Sequence, residues 1–155
     1  MLNAWPKALV PFITFLMGAS LALAVSGHAK SPEPAPRVTP KAEIPRLVSP
    51  NGAATIDLLG QGNNAFFGVL RMKGKGKVPK HRDATEEYIY VVEGGGTITI
   101  DGVNYPVRSG TAIFMPAGAE VSFRGGPEPL VAIQVFAGPG PAAKYRSWKS
   151  IKKTQ

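Results

Sequence analysis

Thr97-Ile98-Thr99-Ile100-Asp101-Gly102-Val103-Asn104-Tyr105 decides the fold class: two alternating runs joined by an Asp-Gly pair. Alternation puts every second side chain on one face of a strand. Asp-Gly supplies the consecutive positive φ angles of a two-residue hairpin turn. Just upstream, Gly94-Gly95-Gly96 predicts a sharp bend or a close approach of two backbones. Working outward, short apolar runs recur at 55–59, 65–72, 87–92, 112–115, 120–123 and 130–136, most of them separated by Gly, Pro or Asn. Short strands at such intervals close into a sandwich or a small barrel. Composition agrees, with 18 glycines and 15 prolines among 155 residues. Those residues cost about 1 and 3 kcal/mol each inside a helix, which excludes a helical bundle. A chain with 44% hydrophobic and 18% charged residues is globular, and its length suits one domain.

The two ends read differently. Lys7 precedes an apolar run over 8–25, and the small residues Ser26, Gly27 and Ala29 follow it. A basic start, an apolar stretch and a small-x-small ending describe a secretory signal peptide over 1–29, so the protein is expected to be exported, periplasmic or secreted. The alternative is an uncleaved N-terminal membrane anchor, the one membrane contact expected of this segment. Residues 30–53 carry six prolines between Pro32 and Pro50 and read as an extended linker. The barrel is placed at 54–141 and a basic tail at 142–155. The chain has no cysteine, which excludes disulfides, thiolate metal sites and a cysteine nucleophile.

Glu87, Gly94, the run 97–102, Gly110 and Pro116-Ala117-Gly118 follow one another at spacings that resemble the cupin superfamily. His81 stands six positions before Glu87, where the first motif of that family has its first histidine. The second motif begins at Gly110 and runs through Pro116 and Gly118. The resemblance spans roughly 69–135. It implies an all-β fold, a small antiparallel jelly-roll β-barrel that is often dimeric, with a site inside the barrel. Metal-binding cupins use an H-x-H pair, a glutamate and a third histidine. Here His81 and Glu87 match, the second histidine position holds Asp83, and the third holds Val121.

Residues two apart on a strand share a face, so His81 and Asp83 can converge. One imidazole and two carboxylates, with waters completing the shell, would favour Mn, Fe(II) or Mg over Cu or a thiolate-type Zn site. Val121 cannot ligate. The expectation is an altered or weakened divalent-metal site on His81, Asp83 and Glu87, or no metal at all. Without a metal, His81 and Asp83 would sit in a polar loop, and Glu87 would pair with Lys80 or Arg82. His81 and Glu87 could then serve as a proton-transfer pair. Val121 and Phe123 share a face by alternation, and with Gln134 they are expected to line the barrel beside one of residues 113–115. Such an apolar pocket with few polar groups suits a small organic ligand.

The net charge is +8, and Arg71, Lys73, Lys75, Lys77, Lys80 and Arg82 crowd the approach to His81. In an extended chain Lys73, Lys75 and Lys77 would share a face. They read as a solvated segment that guards a sheet edge, or as a device that steers an anionic ligand to the barrel mouth. No aromatic-rich motif accompanies the charges, so nucleic acid is not expected as a partner. In the tail, Tyr145, Trp148 and Ile151 recur at three-residue spacing, which suits one side of a short helix docked on the barrel. A basic helix lying on anionic lipid is the alternative. The reading is an exported cupin-like protein that binds a small molecule in its barrel and forms a homodimer. The alternatives are a metal-dependent enzyme of dioxygenase or isomerase type and a non-catalytic envelope binding or dimerisation module.

Overall fold

A computed structural model of the protein describes residues 35–151. The expected signal segment, the start of the linker and the last four residues of the tail lie outside the described residues. Two antiparallel sheets form from β1 (Arg46–Val48), β2 (Ala54–Gln61), β3 (Phe66–Met72), β4 (Lys77–Arg82), β5 (Glu87–Glu93), β6 (Gly95–Ile100), β7 (Val103–Arg108), β8 (Ala112–Met115), β9 (Glu120–Gly125), β10 (Leu130–Phe136) and β11 (Lys149–Ile151). A 3₁₀ segment, Gly140–Ser147, precedes β11. The larger sheet has the order β11-β1-β2-β3-β10-β5-β8, and the smaller one β4-β9-β6-β7.

The hairpin forms as its sequence predicts. Ile100 pairs with Val103, and the turn residues Asp101 and Gly102 have φ of 47° and 82°. The glycine triplet is a close approach. A Cβ on Gly96 would lie 2.3 Å from the Arg124 carbonyl oxygen, and one on Gly95 would lie 2.2 Å from that of Val107. Lys73, Lys75 and Lys77 do not form an extended face. The chain folds back in a tight turn, with Lys75 at φ 61° and its N–H on the Gly126 carbonyl at 2.6 Å.

The folded unit reaches beyond the expected 54–141 at both ends. β1, inside the Pro-rich 30–53, pairs with β2, and β11, inside the tail, pairs with β1. Leu47 packs with the cluster of Ile56, Phe66, Phe136, Ala142 and Tyr145. The tail docks on the barrel, as a 3₁₀ segment. Its period of three residues per turn suits the spacing of Ala142, Tyr145 and Trp148. Ile151 departs from that side and is exposed on β11.

Alternation in β10 sorts the larger sheet into two faces. Leu130, Ala132, Gln134 and Phe136 are buried, whereas Val131, Ile133 and Val135 are less so. The outer face carries two apolar rows across four strands: Phe67, Val135, Tyr88 and Phe114, then Val69, Ile133, Tyr90 and Ala112. Phe67, Tyr88, Tyr90 and Phe114 are exposed on it.

Candidate functional site

Between the sheets lies a cavity of about 440 Å³. Its walls follow from the inward parity of each strand: Met72 on β3, Ile89 and Val91 on β5, Ile98 on β6, Val121 and Phe123 on β9, and Leu130 and Ala132 on β10. Val121, Phe123 and Gln134 are among the residues that line it. Of the 113–115 group, Ile113 and Met115 face the cavity, and Phe114 stands outside against Tyr88 at 5.2 Å between ring centroids.

One end of the cavity is polar. It is built from His81, Glu87, Gln134, Lys144 and Tyr145, supplied by β4, β5, β10 and the 3₁₀ segment. β4 carries His81 opposite Val121 on β9 and is the edge of its sheet, a position that tolerates Pro79. The turn of the second motif fixes where β4 ends: the Gly118 N–H reaches the Asp83 carbonyl at 2.8 Å, and the Arg82 guanidinium reaches the Gly118 carbonyl at 2.7 Å. The two motifs thus meet through backbone groups beside the site.

Glu87 is 5% exposed. One of its carboxylate oxygens, Oε1, accepts a hydrogen bond from Gln134 Nε2. Gln134 Oε1 in turn accepts from the Tyr145 hydroxyl at 2.6 Å. The carboxylate can only accept, so it fixes which way the amide faces. Burial pushes the Glu87 carboxyl above its ordinary range, against the opposing pull of the Gln134 bond and of Lys144. Burial also raises the Tyr145 hydroxyl, helped by the negative charges of Glu87 and Asp83, so it remains a donor.

The sequence places His81, Asp83 and Glu87 in one ligand set, and the structure divides them. His81 and Glu87 line the cavity, whereas Asp83 is not among its walls. The Lys144 ammonium holds Asp83 Oδ2 at 3.3 Å and lies 4.7 Å from the Phe136 ring centroid. His81 Nε2 is 3.8 Å from the same oxygen, beyond hydrogen-bond reach. Lys80 and Arg82, the expected partners of Glu87, instead bond Glu120 at 2.9 and 3.3 Å on the outer face.

The divalent ion that the resemblance implies does not fit this arrangement. A dedicated transition-metal site takes three or more protein ligands, as in catalytic zinc sites and the facial triad of non-haem Fe(II). Here the cavity offers one imidazole and one carboxylate, with the Val121 side chain across from His81 and an ammonium beside Asp83. Among the described residues no group of three or more His, Asp or Glu side chains stands in a metal-holding arrangement.

Sequence reasoning missed Lys144 and Tyr145 as parts of the site. Both belong to the tail, and Tyr145 drew notice only for its spacing.

Residues 68–136 match the family described as Cupin domain. Over 57 residues, 37% of this chain, the sequence is 40% identical to a dimethylsulfoniopropionate lyase of Ruegeria pomeroyi. That match spans 38% of the relative's own length. Among solved structures, an RmlC-like cupin from Shewanella frigidimarina superposes with a TM-score of 0.61 at 17% identity, over 67% of this chain and 92% of that one. A predicted oxalate decarboxylase from Thermotoga maritima gives 0.57 at 22% identity, over 66% and 99%. The polyketide cyclase RemF of Streptomyces resistomycificus gives 0.58 at 20%, over 66% and 79%. At these identities the structural matches speak for the fold.

Proposed function

With a cupin domain over residues 68–136 as premise, we propose that this protein is an exported small-molecule-binding protein that holds its ligand in the barrel and has lost the full set of metal ligands. The observation that carries the reading is the cavity of about 440 Å³, apolar along its walls and polar at one end, which is the usual construction of a ligand site. A plain hydrophobic core would be filled. Calorimetric titration with phenylbutanol, a neutral probe with an apolar body, tests it. Saturable one-to-one binding to the wild type, abolished by Ala132→Phe, which fills the cavity from β10, supports the reading. Equal heats from both proteins contradict it.

Export rests on Lys7, the apolar run 8–25 and the small residues that close it. A mature N-terminus near Lys30 is the expected result of N-terminal sequencing, and one at Met1 contradicts it. The homodimer is placed on the outer face of the larger sheet. Its two rows carry no charge and repeat across four strands, so a two-fold axis can set the face against its own copy. The exposed halves of four aromatic rings sum to roughly 400 Å², a patch as large as the biggest on typical monomers. Tyr90→Lys with Phe114→Lys is expected to halve the mass seen by light scattering. A wild type that is already monomeric sinks this placement.

A second reading, an enzyme, is favoured by the 57-residue likeness to a lyase. In that case His81 and Glu87 would be the proton-transfer pair, since both line the cavity and both can exchange a proton. Release of dimethyl sulfide from dimethylsulfoniopropionate, lost in Glu87→Gln, would favour this reading over plain binding.

A further inference from the structure

The polar end of the cavity has a definite hydrogen-bond sense. His81 Nδ1 lies 3.0 Å from the Pro79 carbonyl oxygen. That oxygen can only accept, so Nδ1 carries a proton, and in the uncharged ring Nε2 is left as an acceptor. Glu87 uses Oε1 for Gln134, and no side chain or backbone group among the described residues bonds Oε2. Buried polar atoms are nearly always satisfied, yet Glu87 Oε2 is not among the sealed, unsatisfied ones. It is therefore open to the cavity that Glu87 lines.

Neither of the donors nearby bonds Glu87 Oε2. The Tyr145 hydroxyl donates to Gln134. The Lys144 ammonium is turned to Asp83. Lys144 and Asp83 compensate each other as an ion pair, so an ionised Glu87 is left without a paired cation.

We propose that the cavity takes a cationic donor, a primary ammonium on an apolar aliphatic or aromatic body, with its N–H groups on Glu87 Oε2 and His81 Nε2. An ammonium has three donors and no acceptor, which matches two acceptors and one missing positive charge. The apolar walls receive the rest of the molecule. A carboxylate would meet Glu87 with like charge. The expectation of an anionic ligand came from the basic residues 71–82; of these Arg71 is engaged with Asp57, Lys80 and Arg82 with Glu120, and Lys77 alone lines the cavity.

This inference rests on the barrel being a binding site, and the test separates the two. Phenylbutylamine, phenylbutanol and phenylbutyrate share one apolar body and differ in the head. In calorimetry on the full mature chain the amine is expected to bind about 10–100-fold more tightly than the alcohol, the difference made by a charge-assisted hydrogen bond. The butyrate is expected to bind most weakly. Glu87→Gln keeps the shape and removes the charge, so the amine is expected to lose its advantage over the alcohol. His81→Ala is expected to weaken the amine by a smaller factor.

An amine no tighter than the alcohol overturns the assignment while the cavity reading stands. The same holds for a butyrate that binds best and loses its advantage in Lys144→Met. Stoichiometric Mn binding that excludes the amine and is lost in Glu87→Gln gives the acceptors to a metal, and also overturns it. Failure of the alcohol to bind defeats the cavity reading itself.

Discussion

Two carboxylates lie low in the larger sheet, and their surroundings are opposite. Asp57 of β2 and Glu87 of β5 are each 5% exposed. Asp57 stands on the outer face, in register with Val69, and is clasped by two guanidiniums: Arg46 at 2.5 and 2.8 Å and Arg71 at 2.7 Å. Glu87 stands on the inner face and has an amide in place of a guanidinium. Burial pushes both carboxyls up. At Asp57 the hydrogen bonds and charges of Arg46 and Arg71 overcome burial and hold the carboxyl below its ordinary value, whereas at Glu87 burial wins. A charge compensated within the protein serves the fold. A charge left short of a partner, in the wall of a cavity, is set for a ligand.

The comparison breaks most visibly if Asp57 is removed. Asp57→Ala leaves Arg46 and Arg71 facing each other without a counter-charge. Because both arginines reach solvent, the expected loss is about 2–3 kcal/mol, somewhat below that of a fully buried pair. Urea denaturation measures it, and a loss below about 0.5 kcal/mol would make Asp57 an ordinary surface residue. Next comes Gln134→Leu, which strands the Tyr145 hydroxyl and the Glu87 carboxylate in the interior. Its expected cost is about 2 kcal/mol, since each buried polar group left unpaired costs about 1–3 and both keep some access to the cavity.

Glu87→Gln sharpens the contrast by its sign. A carboxyl raised in the folded state stabilises the fold fully only while it is protonated in both states, and that stability is lost as pH rises through the folded value. Wild-type stability relative to Glu87→Gln is therefore expected to fall as pH rises above the ordinary glutamate range. Asp57 runs the other way. Its contribution is full above the ordinary aspartate value and is lost as pH falls through the lower, folded one. Denaturation curves for wild type and Glu87→Gln between about pH 4 and 8 check the first trend. A wild type that gains on the variant across that window refutes it. Lys144→Met is the smallest change. Its ion pair with Asp83 is 39% and 19% exposed at the side chains, and such pairs contribute about 0–1 kcal/mol.

These carboxylates also mark how far the sequence could be read. The hairpin at Asp101-Gly102, the glycine approach at 94–96 and the inward parity of Val121 and Phe123 are local signals, carried by turn chemistry and period-two alternation. β4 is harder to see, because Lys77-Val78-Pro79-Lys80-His81-Arg82 is polar and holds a proline. It is a strand because it is an edge. The Asp57 clasp joins three strands, and one of its arginines comes from the Pro-rich segment read as linker. No periodicity links Arg46 to Asp57; only the register of β1 on β2 does. Asp83 and Lys144 are likewise 61 residues apart. The motif spacing pointed to His81, Asp83 and Glu87, but the lysine that draws Asp83 out of the set belongs to a tail whose docking depends on Phe66, Phe136 and Trp148.

The most direct measurement is an NMR titration of the side-chain carboxyl carbons of Asp57 and Glu87 in one sample, without and with phenylbutylamine. Asp57 is expected to titrate below the ordinary aspartate value in both cases. Glu87 is expected to titrate above the ordinary glutamate value alone, and to move down when the amine supplies its missing counter-charge. Glu87 titrating at or below its ordinary value, unmoved by the amine, would contradict the account.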